Sequence, residues 1–234
     1  SLFPFVMKGM DYLYRQCFPE CFQDPGLLGL EPNAPENSTL QSLTLLYHQD
    51  YSEHIVQHTR MYPGMLETLE ELQRRYYLGL YTNKPESLSR LLLSALGILE
   101  FFELIYGGDT LAESKPSALP IDTGIQSLAG ILPETERTRL ARKWQASTEK
   151  STVDSKVESG AELSAGQSLA SLPDIIRKRT LMIGDSGGDL QAAQKARVYA
   201  VWASYGYYGD HPDIPSRATA ASPADLLRIV SELL

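Results

Sequence analysis

Cysteine is nearly absent: Cys17 and Cys21 are the two in 234 residues. That is too few for a disulfide scaffold in a chain of this length and suits a reducing compartment, so a cytoplasmic location is expected. Positive charge is also short, with 21 Lys and Arg against 29 Asp and Glu, a formal net charge of -8 and a pI near 5.1. A chain so balanced lacks the electrostatic footprint of a nucleic-acid binder and repels a polyanion on average; a small anionic ligand would need a local positive site. No apolar run approaches the roughly 20 residues that span a bilayer, and the opening SLFPFVMKGMDYLY lacks the long apolar region of a signal peptide, so no membrane partner is expected. An initiating methionine is missing as well. The chain opens on Ser1 in what reads as an amphipathic segment already under way, and the expectation is that the true N-terminus lies upstream.

The length allows one good core divided into a main and an accessory part. Residues 1–60 contain no convincing strand, but TLQSLTLLYHQDYSEHIVQHT places Leu43, Leu46, Tyr47, Tyr51 and Ile55 at helical intervals, which predicts a small helical domain interrupted by the loop DPGLLGLEPNAPENS. From Pro63 helix and strand patterns alternate. YPGMLETLEELQRR, with Pro63 in a tolerated first-turn position, reads as a helix and YYLGLYT as a strand. PESLSRLLLSALGI, residues 117–130, DLQAAQKAR and a segment from Ser222 read as further helices, and FELIYGG, TLMIG and VYAVWAS as further strands. The prediction is an α/β chain: residues 61–234 forming a Rossmann-like parallel sheet with helices on both faces, beside the helical unit 1–60. Residues 133–174, rich in Ser, Glu, Lys and Ala, are expected to be a disordered insertion with a helical stub near Trp144.

In open parallel α/β sheets ligands bind beyond the carboxyl ends of the strands, so the residues after each strand are the ones to weigh. Thr82, Asn83 and Lys84 follow the first strand; Asp109 and then Lys115-Pro116 follow the second; Asp185 follows TLMIG, with Asp189 four residues further on. A hydroxyl and backbone N–H groups suit phosphate oxygens, a lysine supplies a point positive charge, and paired carboxylates suit hard Mg²⁺. Asp189 falls in the first turn of its helix, where the dipole favours an anion, and Gly187 and Gly188 are expected to let the backbone approach closely. Alone, each feature has a plain alternative: GDSGGD as a helix-capping turn, Thr82 and Asn83 as turn residues, Lys115 as a solvated surface lysine.

Taken in order, LGLYTNKP, ESKPSALP and LMIGDSGGDLQAAQKA resemble motifs two, three and four of the haloacid dehalogenase-like hydrolases. The resemblance is strongest to the phosphoglycolate phosphatase branch, which SYGYYGD also resembles, and it runs over residues 1–232 outside the insertion. It implies that Thr82 and Asn83 bind phosphate, that Thr82 and Lys115 are catalytic, with Lys115 stabilising charge, and that Asp185 and Asp189 form the Mg²⁺ site, Asp185 as ligand and Asp189 as its supporting carboxylate. Residues 1–60 resemble the substrate-selecting cap of that family. The implied activity is Mg²⁺-dependent hydrolysis of a small phosphorylated metabolite through an aspartyl-phosphate.

Three departures stand out. The family's first motif, a strand ending in two aspartates one residue apart followed by Gly-Thr, has no counterpart, because the sequence contains no Asp-x-Asp. The expected nucleophile and first core strand are therefore missing, and the chain alone is expected to be inactive. N-terminal truncation is the preferred account; the alternative is a catalytically inactive relative that binds a ligand or a protein partner. The usual Lys-Pro-x-Pro-x-Pro reads Lys115 to Pro120 with two prolines, and the usual Ala-Gly after the motif-four helix reads Ala196-Arg197. His54 and His58 have the spacing of a metal pair without a third ligand, Cys17 and Cys21 read as semi-buried free thiols, and Tyr205, Tyr207 and Tyr208 are assigned no catalytic role. The specific ester and the oligomeric state are not written in these residues.

Overall fold

The computed structural model describes residues 10–144, 171–208 and 211–234, which fall into two compact units, Ser1–Arg60 and Met61–Leu234. Most of the predicted insertion, residues 145–170, lies outside the described residues; its first part forms a helix at 134–144. Among the described residues no helix is long and apolar enough to cross a membrane.

The first unit is helical: α1 (Met10–Cys17), α2 (Pro19–Gln23), a 3-10 turn (Pro25–Leu28) and α3 (Glu36–Glu53). Tyr14, Cys21 and Leu43 are buried at its centre, with Met10, Phe22, Leu28, Leu40 and Tyr47 packed around them. Cys17 and Cys21 are free, and burial pushes the Cys21 thiol up. The apolar periodicity of α3 predicts its helicity better than its burial, since Leu43 is 6% exposed and Leu46 is 52% exposed. Ile55 is buried beyond the helix end.

The second unit runs α4 (Met65–Gln73), β1 (Gly79–Tyr81), α5 (Glu86–Ala95), β2 (Leu104–Tyr106), α6 (Leu119–Ile131), α7 (134–144), α8 (Leu172–Lys178), β3 (Leu181–Gly184), α9 (Gly187–Ala196), β4 (Tyr199–Ala203), β5 (Ala218–Ala220) and α10 (Asp225–Leu233). Every strand pairing among the described residues is parallel, as the alternation predicts. The strands form two ladders rather than one, β1-β2 and β3-β4-β5. β5 was missed from sequence because Ala218-Thr219-Ala220 is short and carries little apolar signal. Pro63 does not open α4; it precedes Gly64, which caps the helix in the left-handed region at φ 78°.

β4 has partners on both sides and is the most deeply buried strand, which explains its unbroken apolar run. Its side chains alternate between two cores. Trp202 joins Met182, Ile121, Ile125 and Ile176 with α6, α8 and α9 on one face, and Val201 joins Ala220, Leu226 and Ile229 with α10 on the other. Ala192, Ala193 and Ala196 are almost fully buried, and such small side chains let α9 lie close against the sheet. Around β1 and β2, Leu69 of α4, Leu93 of α5, Ile98 and Ile105 form a third cluster.

Candidate active site

The site grows from the turn after β3. Ser186 is the N-cap of α9, and it forms a reciprocal capping box with Asp189 at the third helical position. The Asp189 N–H donates to Ser186 Oγ at 3.3 Å, while Asp189 Oδ2 accepts from the Ser186 N–H at 3.0 Å and the hydroxyl at 2.7 Å. This box orients the carboxylate as the helix forms, and Ser-x-x-Asp before an apolar run is its sequence signature. Asp189 is buried, and its Oδ1 accepts from Lys115 Nζ at 2.6 Å, the two side chains being 5% and 14% exposed. Two residues 74 apart in sequence thus meet across the ends of β1-β2 and β3-β4-β5.

Lys115 is held in turn by its own backbone. Asn83 Nδ2 donates to the Lys115 carbonyl at 3.0 Å, tying the turn after β1 to the lysine loop. Thr82 continues the ladder, its N–H donating to the Tyr106 carbonyl at 3.0 Å, and its Oγ1 accepts from the Lys84 N–H at 3.2 Å. A further network fixes the loop after β2 to the start of α5. The Glu86 N–H donates to Asp109 Oδ1, the Thr110 hydroxyl donates to Glu86 Oε2 at 2.6 Å, and Arg90 Nε donates to Glu86 Oε1 at 2.7 Å. The Thr110 hydroxyl, then Arg90, hold the Glu86 carboxyl below its ordinary value.

Asp185 Oδ2 accepts from the Tyr207 N–H at 2.6 Å, so the segment after β4 closes over the first acidic residue. Tyr205 stacks edge-on to Tyr62 at 5.2 Å, and burial, then Tyr62 and Asp185, push its phenol up to about 12. Burial, then Asp185 and Asp189, also raise Tyr208. Both phenols keep their protons at neutral pH and do not add negative charge beside the carboxylates.

The close approaches expected at Gly187 and Gly188 occur elsewhere. A Cβ on Gly187 would meet nothing nearer than Ile214 at 3.6 Å, and these two residues form the first helical turn in ordinary space. A Cβ on Gly184 would lie 2.2 Å from the Asp189 Cβ, and one on Gly206 would lie 2.1 Å from the Asp185 Cβ. Each acidic side chain therefore packs over a bare glycine, Asp189 over its near neighbour Gly184 and Asp185 over Gly206 from the segment after β4.

A cavity of about 580 Å³ opens at this point, and Lys115, Asp185 and Asp189 line it, as do Gly184, Tyr205 and Gly206. Thr82 and Asn83 are not among its lining residues. Among the described residues no group of three or more His, Cys, Asp or Glu is placed to hold a metal. The carboxylate pair nevertheless fits Mg²⁺, a hard cation that keeps several waters and takes one or two carboxylates with substrate phosphate. Asp189 already serves Ser186 and Lys115, which leaves Asp185 as the carboxylate better suited to direct ligation.

The family model described as haloacid dehalogenase-like hydrolase matches residues 31–136. Over that stretch the chain is similar to this family. Phosphoglycolate phosphatase of Chromobacterium violaceum is 46% identical over 87 residues, 37% of this chain and 39% of that protein, so the match spans about two fifths of the curated relative's length. Among solved structures, a predicted phosphoglycolate phosphatase from Haemophilus somnus superposes with a TM-score of 0.60 at 24% identity, covering 97% of this chain and 80% of that one. The HAD-hydrolase YfnB from Bacillus subtilis, bound to magnesium, superposes at 0.53 with 16% identity, covering 96% and 82%. At these identities the likeness is one of fold. Asp185 and Asp189 lie outside the span of the family match, which includes Thr82, Asn83 and Lys115.

Proposed function

We propose that this chain carries the phosphate- and Mg²⁺-holding part of a phosphomonoester hydrolase, phosphoglycolate phosphatase-like, that acts on a small phosphorylated metabolite. The observation that carries this reading is the meeting of Lys115, Asp185 and Asp189 in one cavity at the strand ends. Lys115 places its ammonium where a phosphoryl group would gather negative charge, and Asp189 with Asn83 fixes that ammonium in position. Thr82, at the β1 end, accepts from the Lys84 N–H through Oγ1 and can still donate its hydroxyl proton to a phosphate oxygen. Asp185 would hold Mg²⁺, with Asp189 as the supporting carboxylate. Bound there, the ion would supply positive charge to the phosphoryl oxygens. Tyr207 holds Asp185 through its N–H, and the protonated Tyr205 and Tyr208 add no further negative charge to the acidic wall.

The 234 residues contain no Asp-x-Asp, and Asp185 cannot attack phosphorus while it ligates the metal. That same observation favours a second reading, a catalytically silent relative that binds Mg²⁺ or phosphate. Calorimetric titration with MgCl₂ tests what the two readings share: Asp185→Asn should lose Mg²⁺ binding, and unchanged affinity would overturn the metal assignment. Release of orthophosphate from phosphoglycolate separates them when it is measured on the protein expressed from its full reading frame, since the 234 residues alone are expected to be inactive. Turnover by the protein would support the hydrolase, and Mg²⁺ binding without turnover would support the silent relative.

A further inference from the structure

The parallel neighbours β4 and β5 are joined by Ser204 to Arg217, a connection whose described residues form no helix. Such neighbours are usually joined through a helix, which keeps its own shape; an irregular connection has to be held by turns and side chains. This one carries the Tyr207 N–H that meets Asp185 Oδ2 at 2.6 Å. The Tyr207 side chain is 72% exposed, so its own burial does not fix that N–H. The position of the bond depends on how the rest of the connection is held.

Both ends are tied to the sheet. The Ser204 N–H and hydroxyl donate to the Ala220 carbonyl at 2.9 and 3.0 Å, and the Arg217 N–H donates to the Ala200 carbonyl at 2.7 Å. Between them stands His211. Its ring meets the Trp202 ring with centroids 5.1 Å apart, and Trp202, 1% exposed, pairs in register with Gly184, the residue before Asp185. His211 Nδ1 lies 2.5 Å from the Pro212 carbonyl, which only accepts, so the proton of the neutral ring is on Nδ1 and Nε2 accepts from the Ser216 hydroxyl at 3.0 Å. The Ile214 N–H donates to the same Pro212 carbonyl at 2.7 Å. Pro212 and Ile214 lie beside the first turn of α9, within 3.8 Å of where a Cβ on Gly187 would stand. A histidine present only as surface polarity has no reason to engage both ring nitrogens and to set its ring against a core tryptophan.

We propose that His211 is a positioning residue for Asp185. It seats the connection on Trp202 and, through Ser216, folds residues 211–216 back on themselves, so that the Tyr207 N–H stays on the Asp185 carboxylate and orients it before an ion arrives. The inference rests on the metal role proposed above for Asp185 and deepens it. Losing the prior ordering of one such side chain lowers affinity by roughly two- to tenfold.

The test compares the whole chain with His211→Ala, His211→Gln and Ser216→Ala by amide hydrogen exchange, calorimetric titration with MgCl₂ and thermal unfolding. In His211→Ala the Tyr207 amide should exchange at least about tenfold faster and Mg²⁺ affinity should fall roughly two- to tenfold, while the α9 amides keep their protection. The unfolding midpoint should move by less than ~2 °C, as for an exposed side chain. Ser216→Ala should shift exchange and affinity in the same direction by less. His211→Gln, whose terminal amide reaches the position of Nε2, should recover part of both. Unchanged Tyr207 exchange in His211→Ala, faster exchange with unchanged Mg²⁺ affinity, or a glutamine variant no better than alanine would overturn the proposal. So would loss of protection spread through α9, which marks a merely structural role. Absence of Mg²⁺ binding by the parent chain would instead refute the metal role proposed above, and Tyr207 exchange would still decide whether His211 holds the contact with Asp185.

Discussion

Lys115→Met removes the ammonium that meets Asp189 Oδ1 at 2.6 Å. The two side chains are 14% and 5% exposed, so the stranded carboxylate cannot turn to bulk water. Removing one member of a buried pair costs about 3–5 kcal/mol; with the Ser186 N–H and hydroxyl still on Oδ2, a loss near the lower bound, about 3 kcal/mol, is expected. At about 2–4 °C per kcal/mol for a unit of this size, the unfolding midpoint should fall by ~6–12 °C. Asp189→Asn should be milder, since an amide oxygen can still accept from the Ser186 N–H. The double variant should be more stable than the two single losses added together, with a coupling energy of about 2 kcal/mol in a double-mutant cycle measured by urea unfolding. A loss under ~0.5 kcal/mol for Lys115→Met, or a coupling energy below that size, would refute the claim that the pair is a buried, mutually dependent tie.

Gly206→Ala drives a methyl to 2.1 Å from the Asp185 Cβ and should cost about 1–3 kcal/mol and weaken Mg²⁺ binding in calorimetry, whereas Gly187→Ala, with 3.6 Å to its nearest neighbour, should leave Mg²⁺ affinity unchanged. Arg197 is exposed and holds φ 57°, ψ 42° after α9, the position where glycine ordinarily ends a helix. Arg197→Gly should raise stability by up to about 1 kcal/mol in thermal unfolding, the relief of left-handed strain being partly offset by the freer unfolded chain. Because the Glu86 carboxyl is held below its ordinary 4.5, chiefly by the Thr110 hydroxyl, its contribution is fully present above that pH and is lost as pH falls through the folded-state value. Urea unfolding from pH 6 down to pH 3 should show a shallower acid loss for Glu86→Gln than for the parent protein.

The repeating helix and strand pattern was legible because each element carries its own period, 3.6 in α10 with Leu226, Ile229 and Val230 buried and an apolar run in β4. That Asp185 and Lys115 share one end of the strands was legible because Asp185 directly follows β3 and Lys115 falls in the loop after β2. What escaped is held by contacts between distant segments. Asn83 ties a backbone carbonyl, Tyr207 reaches Asp185 through its main chain, and Gly206 makes room for a side chain at another position. β5 escaped because its pairing with β4, not its own composition, makes it a strand. The capping box at Ser186 and Asp189 was legible in principle, since Ser171 and Asp174 repeat the same device at α8.

Asn83, Lys115, Asp189 and Ser186 form a continuous line of hydrogen bonds between the two ladders. The flexible member is the lysine side chain, and its reach sets the distance at which the line closes. Lys115 is in this sense a ruler: a shorter cation would draw the ladders together, and a bulkier one would splay them, altering the width of the space between β1 and β3 without touching either strand.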